Sequence, residues 1–321
     1  MATATTVETA ADLAALKSTE KPVSQWAIAW RRLRRHKLAM IGLVTFSIIV
    51  IASVLAPVIA PYDYEEINLN QSYAPFNSPG EPGRPNHFLG TDKLGRDIFS
   101  RLLYAGRISL VVALIVTVLT IFLGAAVGAI SGSFGGATDT VLMRFTDIML
   151  TLPTLPLLLI LSSNLRQFVQ LQTFLGSNLS VAIIIFVLVI FGWMTVARLV
   201  RGNVLSLRGQ DFIEATRALG SSRSRIIMKH LVPNSMAPII VAATLGFGAV
   251  IISEAALSFL GFGIMPPVPT WGNMLNEARN SPLEYLFVQA LSPGFMIFVV
   301  VLSINFIGDG LRDALDPRLS L

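Results

Sequence analysis

The chain contains no cysteine in its 321 residues, so disulfide bridges, thiolate nucleophiles and cysteine metal sites are excluded. Histidine is nearly as scarce. His36, His87 and His230 stand in three separate segments, and neither an HExxH helix nor a histidine ligand cluster can be built from them. No glycine is followed directly by lysine, which removes the GxxxxGK[ST] loop that cradles nucleotide phosphates. Charge is sparse too, at 13% of residues against roughly 25% in a soluble domain.

Apolar side chains take up the difference. They make up 53% of the chain, and mean hydropathy is +0.68, a balance that places it among all-α polytopic membrane proteins. Six stretches are long and apolar enough to be read as transmembrane helices, over residues 38–60, 108–130, 139–162, 180–200, 234–256 and 286–307. The net charge of +5 is concentrated rather than spread. Arg31, Arg32, Arg34, Arg35 and Lys37 form one cluster, and residues 198–229 carry seven basic against two acidic side chains. Such asymmetry reports membrane topology and not nucleic acid binding, and it puts both termini and the segment after the fourth span in the cytoplasm.

Residues 1–24 have no sustained periodicity and are read as a disordered cytoplasmic tail. Residues 25–75 hold an interfacial helix, with Trp26 and Trp30 four apart before the basic cluster, followed by the first span. The external loop that comes next carries a turn at Gly90 and a capping Asp92 ahead of a helix that leads into span two. Gly124, Gly128 and Gly132 then recur every four residues and open one stripe to a close neighbour, in this chain or in another. Arg144 and Asp147 lie one turn apart in span three, either as a structural ion pair or as a relay to the pore. Glu254 is placed at the external end of span five, lining the pathway or snorkelling to the interface. Residues 257–280 are too broken by Pro266, Pro267 and Pro269 to span, and too apolar for a free linker.

The polar island at 209–234, GQDFIEATRALGSSRSRIIMKHLVPN, separates the fourth and fifth spans. Asp211 and Glu214 mark a helix start, with Phe212, Ala215 and Leu219 on one face. Gly220 ends that helix through a left-handed residue, and Ser222 caps a second one carrying Ile226, Ile227 and Leu231 up to Pro233. Two short amphipathic helices meeting at a glycine corner expose an apolar and basic surface that suits a partner's groove.

Glu214, Ala215, Gly220 and Pro233 stand at the spacing of the EAA loop, and here the chain resembles the membrane subunits of type I ABC importers. Thr216, His230 and Val232 depart from the general pattern, and His230 resembles the oligopeptide and dipeptide permease branch. Residues 87–110 and 308–319 are similar to that branch as well. The resemblance implies a type I permease fold, with a core over 104–312, that moves di- or oligopeptides across a prokaryotic cytoplasmic membrane. It implies two ABC ATPase subunits on the cytoplasmic side, a second homologous permease subunit, and an external solute-binding protein docking near 257–280. Glu214, Ala215, Arg217, Gly220, Arg223 and Pro233 then become ATPase-coupling residues. The chain is expected to hold no cofactor and no metal, and hydrolysis is left to the partner ATPases. Nickel or another small solute of the same branch is the alternative cargo. An ion-coupled secondary carrier is the rival class, disfavoured because the charges within the spans lie near their ends.

Overall fold

The computed structural model describes residues 25–167 and 178–316; the tail over 1–24, most of the external segment at 165–179 and the last residues of the 308–319 tail lie outside them. Every regular element among the described residues is a helix. An amphipathic helix α1 (Gln25–Arg35) leads into α2 (Lys37–Val54), with His36 capping the junction by accepting from the Ala39 N–H at 3.1 Å. A capping loop over 60–97 follows, and then α3 (Ile98–Phe134). Helices α4 (Gly136–Thr151) and α5 (Thr154–Leu165) are bent by 89° to each other. After them come α6 (Leu179–Arg208), α7 (Asp211–Ala218), α8 (Arg223–Ile226), α9 (Met236–Phe259), α10 (Trp271–Ala278) and α11 (Leu283–Leu315).

Five of these, α2, α3, α6, α9 and α11, are long and apolar enough to cross a bilayer by themselves. Packing settles the status of the bent pair. Gly124 sits against Trp193 and Val196, Gly128 against Ala197 and Val200, and Gly132 against Val204. Both sets of numbers rise together, so α3 and α6 run parallel. The chain between them must return across the layer, and α4 with α5 makes that return. Asp139 meets Arg201 at the start of α4, Phe145 stacks with Trp193 midway, and Leu158 joins Ile184 and Leu188 near the far end. The described residues therefore make six crossings, the third broken where the sequence predicts a continuous helix. Pro153 is the cause: it drives Leu152 to an extended ψ of 140° and interrupts the helical hydrogen bonds.

The glycine stripe of α3 thus meets a helix of its own chain. A Cβ on Gly124 would stand 2.6 Å from the Trp193 carbonyl oxygen and 2.6 Å from the Val196 Cβ, too close for real atoms. Gly124→Val is expected to cost about 1 to 3 kcal/mol or more by overpacking. The drop is to be read as a lower thermal midpoint of the purified protein in detergent, with Gly202→Val, which meets open space, as control.

The described ends share one face of the bundle, since α1 packs Ala29 and Leu33 on Ala314 of α11 and Arg32 Nη1 donates to the Asp316 carbonyl at 3.2 Å. Residues 209–234 lie on that face too, because α6 ends there and α9 begins there. On the opposite face the 60–97 loop is tied down by buried polar contacts. Asp97, and not Asp92, caps α3, accepting from the Ser100 N–H at 2.7 Å. Asp92 is instead turned toward Arg96 Nε at 2.7 Å and Arg101 Nη1 at 2.6 Å. Glu277 of α10 completes the cluster, 2.8 Å from Arg96 Nη2 and 2.7 Å from Arg101 Nη1. Beside it His87 bridges Asp97 and Gln71, each at 2.9 Å, and stacks on Tyr62. Burial, with the Asp97 charge second, pushes the Tyr62 phenol above its ordinary value. The 257–280 segment is no free loop: α10 inserts among α3, α9 and α11, with Trp271 buried and its indole N–H donating to the Leu102 carbonyl.

Candidate functional site

Two features at different depths share the same helices. The first is the elbow at 209–234. Helix α7 starts after Gln210 and carries both acidic residues in its first turn, where the helix dipole favours them. It ends in a full Schellman closure, in which the Gly220 N–H bonds the Arg217 carbonyl at 2.9 Å and the Ser221 N–H bonds the Thr216 carbonyl at 3.3 Å. Gly220 takes φ +81°, as its place in the motif requires. Ser222 caps α8 by accepting from the Arg225 N–H. The helix then widens into a π turn over Ile227–Leu231, just before Pro233, whose missing N–H removes one ladder bond.

Side chains divide cleanly between anchor and surface. Ile213, Ile226 and Leu231 are buried against Val200 and Val204 of α6, Ala129 of α3 and Ile239 of α9. Leu219 is 87% exposed, with Met228 and Phe212 also in the open. Glu214, Ala215, Arg217, Gly220, Arg223 and Pro233 are all exposed, and Arg223 lies over the Phe134 ring at 5.6 Å. The elbow is a fixed handle: its apolar underside is held, and its apolar and charged outer side has no cover among the described residues.

The second feature is a cleft of about 480 Å³ in the middle of the bundle, walled by α3, α5, α6 and α9. Its polar groups are hydroxyls, from Thr117, Thr120, Thr154, Thr195 and Ser253, and none of the described residues along it is ionisable. Sequence reasoning missed this wall. The available signal was weak: Gly192, Thr195 and Leu199 follow helical spacing along α6, as do Ala242, Gly246, Ala249 and Ser253 along α9.

Two expectations are corrected. Arg144 and Asp147 do not pair. Asp147 accepts from Arg198 of α6, with Nε at 3.1 Å, while Arg144 is exposed with no ion pair among the described residues. The cause is the antiparallel packing of α4 on α6, which brings a guanidinium to Asp147 from a neighbouring helix. Glu254 neither lines the cleft nor reaches the surface. It is 1% exposed, accepting from Ser258 Oγ at 2.7 Å and Ser109 Oγ at 3.4 Å, and α10 seals it. A Cβ on Gly272 of α10 would come within 2.6 Å of the Ala255 Cα. Its neighbour Ser253 faces the cleft instead.

A six-crossing helical bundle with a central cleft and an anchored elbow on one face is the architecture of a membrane permease. Residues 124–321 match the model of the binding-protein-dependent transport system inner membrane component. Residues 24–77 match the N-terminal membrane domain of oligopeptide transport permease C. The chain is 41% identical over 301 residues to a dipeptide transport system permease protein of Alkalihalophilus pseudofirmus, covering 92% of this chain and 91% of that one. It is 37% identical over 303 residues to an oligopeptide transport system permease protein of Bacillus subtilis, covering 94% and 93%. A glutathione transport system permease protein of Escherichia coli is 38% identical over 298 residues, covering 92% and 91%. The chain belongs to the family of binding-protein-dependent transport system inner membrane components.

Proposed function

We propose that the chain is one of two permease subunits of an ATP-driven importer of di- or oligopeptides in the cytoplasmic membrane of a prokaryote, and that two ABC ATPase subunits grip the 209–234 elbow. The relatives named for dipeptide and oligopeptide transport support the cargo. The basic surplus on the elbow face supports its placement in the cytoplasm. An external solute-binding protein would meet the opposite face, around α10 and the 60–97 loop. A tripeptide with a γ-glutamyl bond is a second cargo reading, favoured by the glutathione-named relative.

One observation carries the reading: the helices that clamp the elbow are also the helices that wall the cleft. Val200 and Val204 hold Ile213 and Ile226 from α6, and Thr195 and Leu199 of the same helix face the cleft. Ile239 does the same from α9, with Leu245 and Ser253 further along it. A force on the elbow is therefore delivered to the cleft walls without passing through a loop. When the ATPases close on nucleotide, the elbows would be drawn together and the walls rock from inward-open to outward-open, the bias coming from different contacts in the two states. In this reading Glu214, Ala215, Arg217, Gly220 and Arg223 form the contact and Pro233 its base. Nucleotide is held by the partners, and this chain needs no cofactor.

Glu214→Lys tests the contact. It leaves the buried anchors untouched but puts a positive charge on the first turn of α7, against the helix dipole. The expected result is a loss of at least about tenfold in ATPase subunits that co-purify, equal to about 1.4 kcal/mol, with the permease still in the membrane. ATPase recovery at the unmutated yield would leave Glu214 as a helix-start residue only.

A further inference from the structure

We infer that the cleft between α3, α5, α6 and α9 is a peptide-binding station that takes uncharged main-chain amides through the hydroxyls of Thr117 and Thr195, and leaves the charged ends of the peptide unread. The inference rests on the importer reading above and names the chemistry of the cargo at the cleft.

Thr117 carries the argument. It is 7% exposed, it lines the cleft, and its Oγ1 is buried without a hydrogen-bond partner among the described residues. Hydroxyls on helices in a bilayer normally bond back to their own backbone. That holds for two other hydroxyls of the cleft: Thr120 Oγ1 donates to the Thr117 carbonyl at 2.9 Å, and Ser253 Oγ of α9 to the Ala249 carbonyl at 2.9 Å. An unmet buried hydroxyl is costly to keep; rotation about the Thr117 Cα–Cβ bond turns it to the cleft, where a ligand group that meets it removes the cost. On the adjoining wall, Thr195 is exposed on the stripe begun by Gly192, which lies against Thr120.

The rest of the wall sets the chemical class. Between the hydroxyls stand Leu158, Leu188, Leu199 and Leu245. Among the described residues the cleft offers no carboxylate to an amino terminus and no guanidinium to a carboxyl terminus. Groups that fit are neutral donors and acceptors flanked by apolar surface, as in a peptide bond between variable side chains. The volume of about 480 Å³ falls in the ordinary range of small-molecule sites. A station of this kind accepts many sequences, because it addresses what all peptides share.

The cysteine-free chain makes the test direct. Gly246→Cys, at a lining position where a Cβ meets open space, is introduced, and its alkylation by an uncharged maleimide is timed on this subunit in the purified complex of permeases and ATPases, with trialanine added directly and no binding protein. Trialanine is expected to slow alkylation in a saturable manner, with a half-protecting concentration at least about fivefold below that of an analogue that cannot make one of the neutral hydrogen bonds. Trialanine methylated on both amide nitrogens is expected to give little protection. Adding Thr117→Val should raise the half-protecting concentration of trialanine about fivefold, and Thr117→Ser, which keeps the hydroxyl, should restore it. A merely structural Thr117 would not move the preference for trialanine over its methylated analogue. Equal protection by both peptides, no protection by either, or protection unchanged in Thr117→Val would overturn the inference. Uptake of labelled trialanine into proteoliposomes, with binding protein and ATP, is measured in parallel on the unmutated complex. Its absence would remove the importer reading itself, whereas uptake without amide-dependent protection removes only the station.

Discussion

Gly220→Val is expected to leave ATP hydrolysis by the assembled complex largely intact while peptide uptake falls about tenfold or more. The backbone at Gly220 has φ +81°, a region where a residue with a Cβ pays about 1 to 2 kcal/mol and a β-branched one more. Nothing lies within 4 Å of the place a Cβ would occupy. The cost is therefore conformational and not a clash, and the chain relieves it by changing the angle between α7 and α8. The elbow stays seated, because Ile213, Ile226 and Leu231 remain in their pocket. What changes is the direction in which Leu219 and Phe212 are presented. About 1.4 kcal/mol is a factor of ten in an equilibrium, which sets the scale of the expected loss. Gly220→Asn, which tolerates the left-handed region, should keep most of the uptake. Uptake by Gly220→Val at the unmutated rate per ATP hydrolysed would remove the corner angle from the coupling.

Glu277→Ala is expected to destabilise the opposite face by about 3 to 5 kcal/mol, the cost of stranding buried charge. Arg96 and Arg101 are almost fully enclosed and share two carboxylates, Asp92 and Glu277. Arg101 Nε already lacks a partner among the described residues. Without Glu277, two guanidiniums face one carboxylate in a site closed to water. The 60–97 loop also loses its charged tie to α10. A lower thermal midpoint, with faster proteolysis within 60–97, is the signature to measure. Glu277→Gln keeps an acceptor but not the charge and should fall between the two. A midpoint unchanged in Glu277→Ala would mean that water reaches the cluster and screens it.

Much of this molecule was legible in one dimension. The elbow was, because its signals are local: Ser222 caps, Gly220 turns, and Ile227 with Leu231 falls at helical spacing. Other features needed a neighbour from elsewhere in the chain. Asp92 and Arg96 are four apart and visible as a pair, but Glu277 comes from 176 residues beyond Arg101, and no local pattern points to it. Asp147 had Arg144 one turn away and took Arg198 instead. Glu254 was placed by depth alone, and depth does not say which way a helix is turned. The break at Leu152 and Pro153 was a readable signal passed over, because the hydropathy of 139–162 averages across it.

The sequence by itself determined that the chain crosses a membrane several times and carries a bent, basic handle between two crossings. Both follow from sums and spacings over adjacent residues: transfer free energy adds along a segment, and a left-handed glycine acts on its own turn. Only the tertiary structure decided that α3 and α6 run parallel, that the third crossing is bent, and that hydroxyls rather than charges face the cleft. Those depend on helix rotation and on which carbonyl lies within a hydrogen bond of which side chain. Such choices are set by close packing among helices far apart in sequence, where the approach at Gly124 or a Cβ at Gly272 decides the arrangement within an ångström.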